Sequence, residues 1–577
     1  MAAATTETWK KKRKVLICCF GSRGDVQPFA ALARGLQDCQ GGYQEVLGGE
    51  GLRFEVLGIT NINDGESIFR SLGVKAVGVH FDIANFIRED PKMKKALETG
   101  SAVQFGTIMT KQFIRHFPKE FSQQWKVAKD FQPDLILATS LTWIQASAIG
   151  HALRVPVVHA DLGPFSFLPI SKSTQTEMHE PKCLHKISSF FMVAGMSMVL
   201  KTKNKEGDSL YRAMHRDLFS ASSDLDSGGS TIAAAAAVIP DSEHLLGEDG
   251  AGQFVREWMN PLAPNLFAIS DSVLPKSNFD DLPPKYAERS IWTGNWYVSK
   301  TIQEELARTG DPNFSNSNKE DDLQQIILDF IQRQRKSRSG NEKVLSSDPV
   351  YIGWGSMVAV SPEYMTRLAV QSLKLAGLSG IVLGGFAKLG IDLLSKDDDK
   401  DLYDYAKKHV LFLQSAPHEW LFPKCCVTLH HGGAGTTAAA LRSGVPTIVT
   451  PCIADQYDNA SLIEEAGCGF GFKKPLRKTS AKELANALTK CAGSDAGNGD
   501  FYNSIRFNCK RVAGALGKED GTHNAIRVIE EFVITKLDSG KWKEEFEARL
   551  QQRSKNPWSF WYALYRMMFY RNPFIED

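Results

Sequence analysis

Residues 427–460 restrict the fold of this chain more than any other segment. They read VTLHHGGAGTTAAALRSGVPTIVTPCIADQYDNA, which predicts a short apolar strand, a glycine-rich turn, a helix opened by Thr436 and Thr437, and a second strand over residues 446–450. The glycines of the turn let the backbone approach a ligand closely. A strand, a helix and a second strand in this order are typical of a parallel α/β sheet.

The glycine-rich turn and the start of the helix form a candidate anion site. The first N–H groups of a helix have no partner inside the helix, and together with the helix dipole they favour an anion such as a diphosphate. We assign Ala434, Gly435 and Thr436 to this cradle and His431 as a further donor. For an isolated His–Gly–Gly sequence, a histidine with a purely structural role is the alternative.

Two adjacent polar side chains, Asp455 and Gln456, follow the second strand of this segment. They are suited to hydrogen bonds with vicinal hydroxyl groups, although they could instead cap the helix that starts near Tyr457. A diphosphate cradle followed by a pair that binds hydroxyl groups indicates a nucleotide-sugar as the ligand.

The first half of the chain also alternates strands and helices. Residues 15–20 form an apolar run that suits a strand buried on both faces, and the loop GSRGDVQP follows it over residues 21–28. The next helix is expected to have Pro28 in its first turn and an apolar stripe with helical spacing. On the loop, Ser22 and Arg23 could bind phosphate oxygens, although a surface arginine without a ligand is the alternative for Arg23.

The second half has its own set of elements before residue 427. The pattern predicts strands over residues 350–353, 380–383 and 410–413 and a helix over residues 364–375. The fold class expected from both halves is α/β, with two Rossmann-like domains. Ser356 follows the first of these strands and could donate a hydrogen bond to the diphosphate.

Composition excludes several classes of protein. A chain of 577 residues exceeds one ordinary core, so two domains are expected. A formal charge of +2 gives no basic footprint for nucleic acid, and the ten cysteines lack metal-type or disulfide-framework spacing. No run reaches the ~18 apolar residues that span a bilayer. We therefore expect a reduced, cytoplasmic protein.

Taken together, the motifs resemble a known family. The spelling HHGGAGTTAAAL followed by DQ is similar to the donor-binding motif of UDP-dependent glycosyltransferases, above all of their sterol glucosyltransferase branch. GSRGDVQP resembles the acceptor-side loop of that branch, and VYIGWGSM over residues 350–357 and SAPHEWLF over residues 415–422 follow the family's order. The resemblance covers residues 14–533 and is weak over residues 162–290.

The resemblance implies a GT-B fold, in which the two Rossmann-like domains face each other across a cleft. It also implies inversion at the sugar carbon without a metal, and UDP-glucose as a co-substrate with no further cofactor. Ala416 and His418 would contact the uracil and the nucleoside. The expected units are an acceptor-binding domain, a linker, a UDP-sugar-binding domain and a C-terminal helix that returns to the first domain, over residues 1–300, 301–345, 346–545 and 546–577.

The aromatic segment over residues 557–574 belongs to that helix in our interpretation. Because it combines Trp, Tyr and Arg side chains, an interfacial membrane anchor is the alternative, and peripheral membrane contact stays open.

Sugar transfer with inversion requires a base that removes a proton from the attacking hydroxyl. Asp25 is the candidate, because it lies on the loop at the carboxyl edge of the first sheet, where ligands bind in open α/β folds. A carboxylate has a reference pKa near 3.9, so desolvation by the acceptor or late proton transfer would be needed. The alternative is that Asp25 only caps the following helix.

The predicted function is transfer of a hexosyl group, from UDP-glucose, to a hydroxyl of a sterol or another lipophilic, terpenoid-like alcohol. A scaffold protein that binds a nucleotide-sugar without turnover is the alternative. A dinucleotide oxidoreductase is disfavoured, because the first loop is GSRGD and lacks the GxGxxG fingerprint.

Overall fold

The computed structural model describes most of both halves of the chain. The described residues are 11–39, 52–99, 102–163, 217, 261–279, 284–298, 302–303, 305–306, 311, 320–338, 346–355, 357–452, 455–493 and 499–555. Ser356 and the aromatic segment over residues 557–574 lie outside them.

The first sheet contains seven parallel strands in the order β3-β2-β1-β4-β5-β6-β7. Its strands are β1 (Lys11–Cys18), β2 (Leu52–Asn61), β3 (Lys75–His80), β4 (Leu135–Ala138), β5 (Val157–Asp161), β6 (Asn265–Phe267) and β7 (Ser290–Trp292). The second sheet contains six parallel strands in the order β10-β9-β8-β11-β12-β13. Its strands are β8 (Val350–Gly353), β9 (Gly380–Leu383), β10 (Val410–Leu413), β11 (Val427–His430), β12 (Thr447–Val449) and β13 (Gly469–Gly471).

Both sheets are built in the same way. In each, the chain starts at an inner strand, adds two strands on one side and then adds the remaining strands on the other side. This order is that of a doubly wound Rossmann sheet. The prediction of an α/β fold with two Rossmann-like domains is confirmed.

Helices make most of the connections, because parallel neighbours require a crossover. In the first half they are α1 (Arg23–Asp38), α2 (Asp64–Ser71), α3 (Ile83–Glu89), α4 (Pro91–Thr99), α5 (Ala102–Phe131), α6 (Trp143–Leu153) and α7 (Pro284–Arg289). In the second half they are α8 (Glu320–Arg338), α9 (Pro362–Ala376), α10 (Lys400–His409), α11 (His418–Leu421), α12 (Ala434–Ser443), α13 (Gln456–Glu465), α14 (Ala481–Ala492) and α15 (Gly499–Leu516). The final helices are α16 (Gly521–Phe532) and α17 (Lys541–Lys555), joined by a π-helical turn over Val533–Leu537.

The start of α1 differs from the sequence prediction. The helix begins at Arg23, so Pro28 lies in its second turn and not in the first. A proline at this depth has no N–H to donate to the carbonyl group of Gly24, four residues earlier. The helix begins early because Ser22 and Asp25 close its N-terminus on the loop itself, in the geometry of a capping box.

The last helices of the chain pack on the first sheet. Ile526 and Ile529 of α16, together with Trp542 and Phe546 of α17, belong to the same buried cluster as the apolar residues of β1 and α1. The chain therefore crosses back between α15 and α16, whereas the boundary expected from the sequence, at residue 546, falls inside α17. No helix among the described residues is long and apolar enough to cross a membrane.

Trp542 provides a test of how strongly α17 is attached to the first domain. Its side chain is 5% exposed, and its ring stacks on Phe546 at 5.0 Å. We expect Trp542→Ala to lower the free energy of unfolding by about 3 kcal/mol, because it removes a large apolar side chain from a packed core. Lys543→Ala, an exposed neighbour on the same helix, should change it by less than about 0.5 kcal/mol. Equal effects of the two variants in chemical denaturation would contradict this packing.

Candidate functional site

The two sheets have their switch points where the predicted site residues lie. The chain changes direction between β1 and β4 in the first sheet and between β8 and β11 in the second. Ligands of open α/β sheets bind outside the carboxyl ends of the strands at such points. The loop with Asp25 follows β1, and the turn with His431 follows β11.

The glycine-rich turn is fixed by its own backbone. Gly432 has a φ of +93°, and a Cβ atom at this position would lie 2.7 Å from Val449 Cγ1. Its N–H donates to His430 Nδ1 at 3.0 Å, and its carbonyl accepts from Asn459 Nδ2 at 2.9 Å. Only glycine fits this left-handed and crowded position.

Helix α12 begins at Ala434, two residues before the predicted opening at Thr436. Thr437 does not face the ligand position, because its hydroxyl donates to the Gly433 carbonyl at 3.0 Å. At Gly435 a Cβ atom would meet no atom within 4 Å, so the backbone of the first turn faces open space. Ala434, Gly435 and Thr436 therefore lie together at an accessible helix N-terminus, as an anion site requires.

His431 lies against this turn and offers an unused donor or acceptor. Its Nδ1 atom is buried and has no hydrogen-bond partner among the described residues. Burial lowers the pKa of His431 to about 4, so the ring is neutral near pH 7. A buried nitrogen without a partner is costly, and a ligand oxygen would satisfy it.

His418 opens α11 on the neighbouring loop, two residues after the half-buried Ala416. Its Nε2 atom lies 3.0 Å from the Tyr351 hydroxyl, and its ring stacks on Phe422 at 4.6 Å. Burial first, and then the charges of His431 and Arg23, lower the pKa of His418 to about 4.

Arg23 connects the two domains electrostatically, because it belongs to the first domain and its charge acts on His418 of the second. Its side chain is exposed and donates through Nε to Gln27 Oε1 at 3.0 Å. The charge of Arg23 therefore reaches the loop that carries His418.

Asp25 lies at the first turn of α1, as both sequence interpretations require. Its Oδ2 atom accepts hydrogen bonds from the Ser22 N–H at 2.6 Å and from the Ser22 hydroxyl at 2.9 Å. The capping role of Asp25 is thus present, and the Ser22 hydroxyl points at Asp25. Burial raises the pKa of Asp25, and the charge of Asp161 adds to this effect.

Asp455 and Gln456 differ in what they offer to a ligand. Gln456 is 6% exposed, and its Oε1 atom accepts a hydrogen bond from the Cys452 N–H at 2.7 Å. This oxygen is therefore bonded within the protein. Asp455 precedes α13, and its pKa is raised to about 7 by burial and by the charges of Asp25 and Asp458. The charge of Asp25 in the first domain therefore acts on Asp455 in the second.

One polar cluster at the carboxyl edge of the first sheet was not predicted from the sequence. Ser140 follows β4, and His159 and Asp161 lie at the end of β5. A signal was present in the sequence, because the buried strand VVHAD places two ionisable side chains at alternate positions, on one face. The described residues contain no group of three or more His, Cys, Asp or Glu side chains suited to a metal ion.

Comparison with known proteins supports the resemblance. Residues 397–500 match the model of the erythromycin biosynthesis protein CIII-like C-terminal domain. A sterol 3-beta-glucosyltransferase of Kluyveromyces lactis is 34% identical over 201 residues, which are 35% of this chain and 15% of that protein. A sterol 3-beta-glucosyltransferase of Cryptococcus neoformans is 25% identical over 528 residues, which are 89% of this chain and 27% of that protein. This chain resembles the sterol 3-beta-glucosyltransferases over both of its domains.

The matched residues are only part of each curated relative. The chain spans about a quarter or less of the length of these curated relatives. Among solved structures, the calicheamicin glycosyltransferase CalG4 is similar with a TM-score of 0.49 and 14% identity, covering 91% of this chain and 99% of that one. The curated relatives confirm that this chain resembles the sterol glucosyltransferases, as its motifs predicted.

Proposed function

We propose that this protein is a glycosyltransferase that transfers glucose from UDP-glucose, with inversion, to a hydroxyl of a sterol or another lipophilic alcohol. The observation that supports this most is that the switch points of the two sheets carry loops of complementary chemistry. One carries a half-buried carboxylate with a raised pKa, Asp25, and the other carries an open helix N-terminus at Gly435 beside the unpaired His431 Nδ1.

The donor side fits a diphosphate. The N–H groups of Ala434, Gly435 and Thr436 and the imidazole of His431 would bind its oxygens, with Arg23 approaching from the first domain. As the bond from the sugar to the diphosphate breaks, negative charge grows on the leaving group, and these fixed donors stabilise it. The proposal involves no metal and no cofactor.

The acceptor side supplies the base. Asp25 Oδ2 is occupied by Ser22, so in this proposal Oδ1 accepts the proton of the attacking hydroxyl. The hydroxyl oxygen forms the new bond to the anomeric carbon, and the diphosphate leaves with the bonding electrons. A raised pKa makes a carboxylate a better base near neutral pH.

Apolar side chains at the carboxyl edge of the first sheet support a lipophilic acceptor. Ile62 follows β2 and is 40% exposed, and Leu141 follows β4 and is 50% exposed. Phe81 follows β3 and stacks on His116 at 4.8 Å. Together with the names of the curated relatives, these residues favour a sterol over a polar sugar acceptor.

An assay with the full chain tests the proposal. The protein is incubated with UDP-glucose, UDP-galactose or UDP-xylose and with a panel of sterols, terpenoid alcohols and phenols, and products are measured by mass spectrometry and by UDP release. The expected product is a sterol glucoside from UDP-glucose. Tight binding of UDP-glucose in calorimetry with no product from any acceptor would instead establish the scaffold alternative.

The histidine pKa values predict how UDP binding depends on pH. His431 is neutral above pH of about 4 in the free protein, and a bound diphosphate would raise its pKa, so binding should be accompanied by proton uptake as the pH falls. We expect His431→Gln to weaken UDP binding about fivefold at pH 7 by loss of one hydrogen bond, and more at pH 5.

Calorimetric titration of both proteins at pH 5, 6 and 7 measures this effect. Because UDP also titrates in this range, the quantity to compare is the ratio of the two dissociation constants. A ratio that does not change between pH 7 and pH 5 would show that His431 stays neutral in the complex.

A further inference from the structure

Three side chains at the carboxyl edge of the first sheet form a closed hydrogen-bonded cluster. Asp161 Oδ1 accepts from the Ser140 N–H at 3.1 Å, and Asp161 Oδ2 accepts from the Ser140 hydroxyl. His159 Nε2 lies 3.0 Å from Asp161 Oδ2 and 3.1 Å from Ser140 Oγ. Asp161 is 9% exposed and His159 is 2% exposed.

The geometry of the cluster excludes a nucleophilic triad. In such a triad the serine and the acid bind opposite nitrogens of the histidine. Here Ser140 and Asp161 both meet Nε2, so the cluster cannot pass a proton from the serine through the ring to the acid.

The contacts instead hold the carboxyl group of Asp161 in one orientation. An ionised carboxylate only accepts hydrogen bonds, and Asp161 has donors on both oxygens. Nε2 of His159 must then carry its hydrogen to donate to Asp161. Three donors therefore fix the position of this buried carboxylate.

The cluster is attached to the strand that leads to the general base. The turn after β4 is bonded to the end of β1, because the Cys18 carbonyl accepts from the Thr139 N–H at 3.2 Å and from the Thr142 hydroxyl at 2.7 Å. Since β4 lies between β1 and β5 in the sheet, Ser140, Asp161 and Asp25 meet at one edge.

We propose that Asp161, held by Ser140 and His159, is a positioning residue that acts on the base Asp25 through its negative charge. The inference rests on the proposed function, because it assigns Asp25 the role of base. It assigns a role to a second carboxylate that the fold holds at the carboxyl edge of the first sheet.

The electrostatic surroundings of Asp25 support this assignment. Burial raises the pKa of Asp25 most, the two hydrogen bonds from Ser22 oppose this effect, and the charge of Asp161 raises the pKa by a smaller amount. Other ionisable groups near Asp25 are Asp455, on whose pKa the charge of Asp25 acts, Cys19 directly after β1, and Arg23 two residues away. Among these groups Asp161 is the one that three donors hold in place.

The test is the pH profile of turnover by the full chain with UDP-glucose and a 3β-hydroxysterol. Removal of the negative charge in Asp161→Asn should stabilise the ionised form of Asp25 and lower its pKa. The acid limb of kcat/KM should therefore move to lower pH by roughly 0.5 to 1 unit. The plateau rate should fall severalfold, because a weaker base removes the proton less readily.

Controls separate this inference from a structural role and from the proposed function. Asp130→Asn removes an exposed acid of the same domain and should leave the acid limb in place. If Asp161→Asn does not fold, Asp161→Ser gives the same uncharged readout at smaller volume. An unshifted limb in an active Asp161 variant overturns the inference, whereas full activity of Asp25→Asn overturns the assignment of the base.

Discussion

Asp25→Asn is expected to reduce turnover by about 10²- to 10⁴-fold, the range that a positioned general base contributes. The amide cannot take up the proton of the acceptor hydroxyl at the pH of the assay. Its oxygen can still accept the Ser22 N–H bond that closes α1, so the fold and the N-terminal cap should survive. The affinity for UDP should stay within about twofold, because Asp25 does not belong to the diphosphate cradle.

The measurements are kcat with a sterol acceptor, the dissociation constant for UDP and the melting temperature. Asp38→Asn, at the opposite end of the same helix, is the matched control, since Asp38 is exposed and bonds only to Arg34 among the contacts seen in the structure. Undiminished turnover in Asp25→Asn would leave Asp25 with the capping role alone.

Gly435→Leu should weaken UDP binding by about 10- to 100-fold, which corresponds to about 1.4–2.8 kcal/mol. A Cβ atom at Gly435 would meet no atom within 4 Å, so the new side chain would extend into the open space over the first turn of α12. It would displace the diphosphate from the N–H groups that are proposed to bind it.

A matched glycine is available as a control. At Gly514 on α15 a Cβ atom also meets no atom within 4 Å, and neither glycine has a positive φ. Gly514→Leu should leave both UDP affinity and melting temperature close to those of the parent protein. If Gly435→Leu binds UDP as tightly as Gly514→Leu does, the diphosphate does not lie on the N-terminus of α12.

The two variants together divide the site into its two proposed halves. Asp25→Asn should affect the rate and spare the affinity, and Gly435→Leu should affect the affinity first. This division follows from the position of each residue at a switch point of a different sheet. If one variant lost both the rate and the affinity for UDP, a disturbed fold would be indicated, and a lowered melting temperature would reveal it.

The sequence predicted the second domain closely, because its strands are short apolar runs bounded by turn residues. Strands β8, β9, β10 and β11 run over the residues that the pattern indicated, and the glycine-rich turn follows β11 as expected. Helix ends were less accurate. Helix α12 starts two residues early, with Gly433 as its N-cap, and α1 starts early because Ser22 and Asp25 form a capping box.

Packing between distant segments was beyond the reach of the sequence pattern. The family resemblance led us to expect a helix that returns to the first domain from residue 546, and the assembled core shows that Ile526 and Trp542 already join the first sheet. The sequence also did not show that the Gln456 side chain accepts a hydrogen bond from the Cys452 N–H.

What the sequence by itself determined about this protein is the order of strands and helices and the chemical types at each strand end, since these depend on local periodicity and on turn residues. The tertiary structure alone decided which strand ends lie side by side. It brought Asp161 and Asp25 to the same edge of the first sheet, because the sheet order β1-β4-β5 brings together residues far apart in the chain, and it placed Asp455 within reach of the charge of Asp25. Charge and desolvation act over distances in space, and a pattern along one chain does not contain those distances.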